Sequence, residues 1–291
     1  MTVGVNDSVG VGDYRYRLVP AWGDQEIRAQ IGIVTAVATD ANDRVYVADR
    51  EPNDVIRVFE RDGTYVETWG GDFLKRPHSI WIGPDQLAYI TDIIHHTVEI
   101  CRLDGTVVQT IGTRGKPGEP GAPFNRPTWA VRAPWGDLYV SDGYGQERMH
   151  RFTPEGELVR SWGAEGTGPG EFQLPHCVKV DPRGRLLVID RTNARIQVFD
   201  REGDFIEEWT DVKAANDLVI DDRDVVHLAE AQGTVALVDL DGRIIGRWGQ
   251  KGDEPGRFKG APHGIWEDSH GDLYVCEVPF DRDRLQKFER I

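Results

Sequence analysis

Cysteine is scarce in this chain. Cys101, Cys177 and Cys276 are widely separated and odd in number, which argues against a disulfide framework as the source of stability. Long apolar runs are missing too: no stretch approaches the ~18 residues that a membrane-crossing helix needs. The opening residues, MTVGVNDSVGVGDYRYR, carry neither a basic cluster nor an apolar segment of the kind that marks a secretory leader, so a cytoplasmic protein is expected. Basic residues are outnumbered, 34 Lys and Arg against 49 Asp and Glu, and the net charge of -15 is spread along the chain. Such a surface repels nucleic acid and anionic lipid, so neither is an expected partner, while the oligomeric state stays open. A phosphate-binding loop, a dinucleotide fingerprint and a Ser-His-Asp arrangement are all lacking.

What the chain does have is repetition. A unit recurs in which a short strand and a turn precede a strand ending in an acid, followed by a third strand, a turn such as RDG or LDG, and a fourth strand ending near Trp-Gly. Fourth strands end at AWG (21), TWG (68), TIG (110), SWG (161), EWT (208) and RWG (247). Second strands are VYVADR (45–50), AYITD (88–92), LYVSDGY (138–144), LLVIDR (186–191), VHLAE (226–230) and LYVCE (273–277), dominated by the β-branched and aromatic residues that strands favour. Six units of about 40 to 50 residues with four strands each predict an all-β, six-bladed β-propeller. The last unit, ending at RLQKFERI, has three strands, and residues 14–23, YRYRLVPAWG, are a strand without a unit. Joining them closes the last blade and removes exposed edges. The expected organisation is therefore a flexible N-terminus at 1–13 and one propeller domain over 14–291.

Counting back 14 residues from each second-strand acid gives Thr35, His78, Thr128, His176, Asn216 and His263. Equivalent positions in propeller blades lie on a ring about the central axis, so histidines in blades 2, 4 and 6 are expected to converge. Three neutral imidazoles suit a divalent metal and leave a further position for water or substrate. Zinc is the first choice, with iron, cobalt or manganese as alternatives. Bland roles are expected elsewhere: Cys177 as a small core residue, His95 and His96 in a turn beyond the second strand of blade 2, and Trp22, Trp69, Trp162, Trp209 and Trp248 as outer-strand packing.

The linkers WGAEGTGPGEFQLPH (162–176) and WGQKGDEPGRFKGAPH (248–263) resemble those of NHL-repeat propellers. The three Pro-His pairs, with VADR (47–50), VSDGYG (140–145) and VIDRTNARIQVF (188–199), further resemble peptidyl-α-hydroxyglycine α-amidating lyase. That resemblance implies a zinc site at His78, His176 and His263, a catalytic tyrosine at Tyr144, and two active-site arginines at Arg50 and Arg191. It implies cleavage of a carbinolamide C–N bond to an amide and glyoxylate, with a small carboxylate-bearing substrate as the partner. A tyrosine beside a cation is a reasonable base, because the cation favours phenolate, and planar guanidinium groups suit a carboxylate. The sequence also departs from the family. Its structural calcium would need a carboxylate where Gly264 stands, beside carbonyls at Val37 and Ile80, which argues against a calcium here. The methionine position two residues before His263 is Ala261, and Gly145 stands where a paired cysteine would follow the tyrosine. Two other functions remain open from the sequence: a metal-dependent hydrolase or lactonase, and a non-catalytic NHL interaction scaffold.

Overall fold

The computed structural model describes residues 8–278 and 284–291. Its strands form six antiparallel sheets, in each of which strands consecutive in the chain lie side by side, except that the N-terminal strands join the last sheet. Blade 1 holds Val34–Thr39, Val45–Asp49, Val55–Phe59 and Tyr65–Trp69. Blade 2 holds Pro77–Ile82, Leu87–Asp92, Thr97–Arg102 and Val107–Gly112, and blade 3 holds Trp129–Arg132, Leu138–Asp142, Arg148–Phe152 and Leu158–Trp162. Blade 4 comprises Pro175–Val180, Leu186–Asp190, Arg195–Phe199 and Phe205–Trp209; blade 5 comprises Ala215–Ile220, Val226–Glu230, Thr234–Val238 and Ile244–Trp248. Blade 6 runs from Ala261–Glu267 through Leu273–Val278 and Leu285–Arg290 to the N-terminal Tyr14–Leu18. This is the six-bladed β-propeller fold, with the N-terminal strand completing the last blade.

One boundary differs from the sequence reading. Ser8–Val11, expected to be flexible, pairs antiparallel with Tyr14–Leu18 and adds a fifth strand to blade 6. Val9 and Val11 alternate with small residues and are followed by a Gly12-Asp13 turn, a hairpin signal that a short segment easily hides. Residues 1–7 of the expected N-terminus lie outside the described residues. The chain divides into two compact units, residues 1–69 with 215–291, and residues 70–214. The first carries blades 1, 5 and 6, and the second carries blades 2, 3 and 4.

Burial explains the pattern of the strands. In blade 4 the second and third strands are buried throughout, whereas Phe205–Trp209 is mostly exposed. A strand covered on both faces reads as a near-continuous apolar run, as Leu186–Asp190 does until its terminal acid, whereas Phe205–Trp209 carries Glu207 and Glu208 and buries only Trp209. The Trp-Gly…Phe linker has a packing cause. Gly163 and Gly249 follow the tryptophans at φ 101° and 90°, and a Cβ on either would stand 2.8 and 2.6 Å from the rings of Phe172 and Phe258. Those rings are fully buried and pack in turn on Phe199 and on Trp248. Only glycine combines that left-handed backbone with so close an aromatic neighbour.

Candidate active site

A β-bulge places each of the three histidines. Pro77 pairs with Asp92 and Ser79 with Thr91, so His78 has no partner across the ladder. His176 is left over in the same way between Pro175 and Cys177, and His263 between Pro262 and Gly264. Bulges re-aim a side chain out of the regular alternation. Thr35 and Asn216 occupy bulges at the matching places in blades 1 and 5.

The acid 14 residues on secures the chain that leads into each bulge. Asp92 accepts the backbone N–H groups of Lys75 (2.6 Å) and Arg76 (3.0 Å), Asp190 those of Gln173 (2.9 Å) and Leu174 (3.3 Å), and Glu277 that of Gly260 (2.7 Å). Asp190 also pairs with the buried Arg195 (3.0 Å), and Glu277 with Arg284 (3.1 Å). Burial pushes the Glu277 carboxyl above its ordinary value, opposed by Arg284 and by the Gly260 N–H. The constant spacing in the sequence is thus a loop-fixing device.

Within the unit of residues 70–214, three of the expected residues meet. Nδ1 of His78 lies 2.7 Å from the carbonyl oxygen of Thr128. A carbonyl can only accept, so the proton is on Nδ1 and Nε2 presents its lone pair. That Nε2 lies 3.1 Å from the Tyr144 hydroxyl, which lies 3.0 Å from Nε2 of His176. The two imidazoles are 4.9 Å apart between centroids, and both are buried. Glycines on either side of the tyrosine allow the approach: a Cβ on Gly143 would collide with the Pro175 carbonyl, and one on Gly145 with Asn125. In the other unit, Nδ1 of His263 donates to the carbonyl of Thr35 at 2.7 Å, the counterpart of the His78 to Thr128 contact.

The arginines differ. Arg50 is half-buried and its Nε is paired with Oε2 of the adjacent Glu51. Arg191 is half-buried, its backbone N–H bonds to Leu174, and its guanidinium has no ion-pair partner among the described residues.

Comparison with known proteins agrees with the fold and the resemblance. The NHL repeat family model matches residues 172–199, the stretch that contains His176, Asp190 and Arg191. Human NHL repeat-containing protein 3 is 34% identical over 67% of this chain and 59% of its own length. The chain is thus a six-bladed β-propeller with one stretch that matches the NHL repeat and with similarity to NHL repeat-containing proteins. Peptidyl-alpha-hydroxyglycine alpha-amidating lyase 1 of Drosophila melanogaster is 32% identical over 45% of this chain and 26% of that protein. The chain thus spans well under two thirds of these curated relatives. A gluconolactonase from Xanthomonas campestris shares the fold with a TM-score of 0.71 at 13% identity, over 99% of this chain and 96% of that one.

For this propeller the two metals implied by the lyase resemblance fare differently. Fixed Nδ1–H tautomers at His78 and His263 leave Nε2 as a ligand atom, as a zinc-class ion requires. A calcium carboxylate at position 264 does not fit, because a Cβ there would stand 2.7 Å from Cys276 Sγ and 2.9 Å from the Ala36 Cα. Cys177 is fully buried and in no disulfide, a small core residue as expected, and burial pushes the Cys101 and Cys276 thiols up. His96 has φ 57° and its Nδ1 accepts the Arg126 N–H at 3.1 Å, so it serves the turn. Trp22, Trp162, Trp209 and Trp248 are buried, and Trp69 is partly exposed.

No helix among the described residues is long and apolar enough to cross a membrane. The sequence reading missed the bulges, for which Pro-His followed by a small or β-branched residue is only a weak signal.

Proposed function

We propose that this propeller is a metal-dependent carbon–nitrogen lyase that cleaves an α-hydroxyglycine-type carbinolamide to an amide and glyoxylate. The observation that carries the reading is the Tyr144 hydroxyl held at 3.1 and 3.0 Å from the Nε2 atoms of His78 and His176. His263, with the same bulge and the same Nδ1 anchor, is assigned as the third ligand. A zinc-class ion held by these imidazoles would supply a positive charge that stabilises oxyanions and lowers the pKa of neighbouring hydroxyls.

The chain's own groups do the rest. Tyr144, as phenolate, takes the proton from the carbinol hydroxyl of R-CO-NH-CH(OH)-COO⁻. The oxygen electron pair forms the aldehyde C=O of glyoxylate as the C–N bond breaks, and the amide nitrogen leaves with that bond's pair and regains a proton from Tyr144. Atoms and charge balance without a redox partner. Arg191, with no ion-pair partner among the described residues, binds the substrate carboxylate, and Arg50 joins it by exchanging Glu51 for substrate. A small substrate is favoured, such as an N-acyl-α-hydroxyglycine or a ureidoglycolate-like compound.

The test is glyoxylate release from α-hydroxyhippurate and ureidoglycolate by zinc-loaded protein. Release that stops with a chelator and in His176→Ala supports the assignment. No release from either compound by metal-replete protein overturns it.

A further inference from the structure

Blade 5 departs from blades 1 and 6 at the turn that follows its first strand. In blades 1 and 6 the turn aspartates, Asp40 and Asp268, each accept a hydrogen bond at 3.2 Å from a tyrosine six residues on, Tyr46 and Tyr274. In blade 5 that place belongs to His227, whose Nε2 lies 3.1 Å from Oδ2 of Asp221. Blade 6 then contributes Glu267, the last residue of Ala261–Glu267, with Oε2 4.0 Å from the same nitrogen. The three donor atoms lie within 4.8 Å of one another.

A second observation points to a missing ligand. Oε2 of Glu267 is buried without a hydrogen-bond partner, on a side chain only 9% exposed, and it faces an imidazole and a second carboxylate. A carboxylate so placed is costly unless a cation or a proton answers it. Arg290 attracts it through charge alone, without a hydrogen bond: the guanidinium groups of Arg223 and Arg290 lie over the Tyr14 ring at 5.6 and 5.0 Å. Oδ1 of Asp221 is engaged with the N–H groups of Arg223 and Val225, so Oδ2, which faces His227 Nε2, is the oxygen turned toward the cluster, with the Tyr14 side chain also beside this carboxylate.

We propose that Asp221, His227 and Glu267 form a second metal site, which binds one divalent transition-metal ion through an imidazole nitrogen and two carboxylate oxygens. That mixed N and O donor set is typical of zinc, iron and manganese. Burial, with the charge of Asp221, pushes the Glu267 carboxyl up to about 7, opposed by Arg290. Although burial opposes it, the His227 and Val225 hydrogen bonds hold Asp221 below its ordinary value. A metal therefore displaces the proton between His227 and Asp221, and any proton on Glu267, so uptake releases acid. The site does not depend on the lyase reading, since none of the three residues belongs to that machinery.

The experiment is zinc titration of the full chain, stripped with chelator, against a chromogenic competitor. Glu267→Gln, nearly isosteric, should take up one zinc equivalent fewer than wild type. His227→Tyr restores the residue type of blades 1 and 6 and should show the same loss. His176→Ala should remove a different equivalent, and the Glu267→Gln/His176→Ala double variant both. A folded Glu267→Gln or His227→Tyr that binds as much zinc as wild type overturns the proposal. Anomalous diffraction from wild-type crystals grown with zinc decides it without any substitution: a peak among the three side chains supports the site, and none there overturns it.

Discussion

Removing one oxygen from Tyr144 separates packing from chemistry. Tyr144→Phe keeps the ring that meets His78 and His176 edge-on at centroid distances of 5.0 and 5.6 Å. Metal content and thermal midpoint should stay near wild type, while glyoxylate release falls about a hundredfold or more, the usual worth of a positioned base. The arginines should act on binding: Arg191→Ala is expected to raise KM for acidic substrates more than Arg50→Ala, because Arg50 already has Glu51 as a partner. His96 provides a pH readout. Burial, with Arg126 next, holds its pKa below the ordinary value, and its Nδ1 must stay unprotonated to accept the Arg126 N–H. The unfolded chain then binds more protons below about pH 6.5, so stability is present above that value and is lost as pH falls through it. His96→Asn tolerates φ 57° and keeps an acceptor, so its thermal midpoint should drop less than that of wild type between pH 7.5 and 5.5.

The element that matters most is the pair formed by a bulged first strand and the acid opposite it. Asp190 accepts the Gln173 and Leu174 N–H groups, Asn193 Nδ2 at 2.7 Å, and Arg195 Nε at 3.0 Å. Asp190→Ala leaves Arg195, only 6% exposed, without this carboxylate and frees the chain leading to Pro175 and His176. Breaking one side of a buried pair costs up to about 3 to 5 kcal/mol, reduced here because Arg195 keeps Glu208 Oε2 at 2.7 Å. Chemical denaturation should show a loss of that order, and metal retention should fall with it, because the bulge that aims His176 is no longer tied down. Retained metal affinity in a destabilised Asp190→Ala would mean that the bulge holds without its acid.

At the scale of the whole molecule the N-terminus is structural. Tyr14 and Tyr16 share a core cluster with Trp248, Phe258 and Phe288, and Tyr16 stacks on Trp248 at 5.7 Å. Deleting residues 1–23 removes both rings, at about 3 to 5 kcal/mol each, and turns Leu285–Arg290 into an open edge. The truncated chain should elute as aggregate in size-exclusion chromatography. A stable monomer would contradict the closing role of Tyr14–Leu18.

The blade count, the closing N-terminal strand and the common register of His78, His176 and His263 were all legible in the sequence. Each depends on a short-range rule: strand alternation, turn residues at fixed offsets, or a constant 14-residue spacing to an acid that fixes a loop. The glycines beside Tyr144 were visible as letters, but their cause was not. The close approach to Pro175 and Asn125 exists only when blades 3 and 4 are packed. The same holds for the Tyr144 hydroxyl between two imidazoles, for the Nδ1 tautomer set by a carbonyl of another blade, and for the meeting of Glu267 with His227 and Asp221. Hydrogen-bond geometry and buried charge depend on distances between residues far apart in the chain, so periodicity could name the blades but packing alone decided which side chains meet.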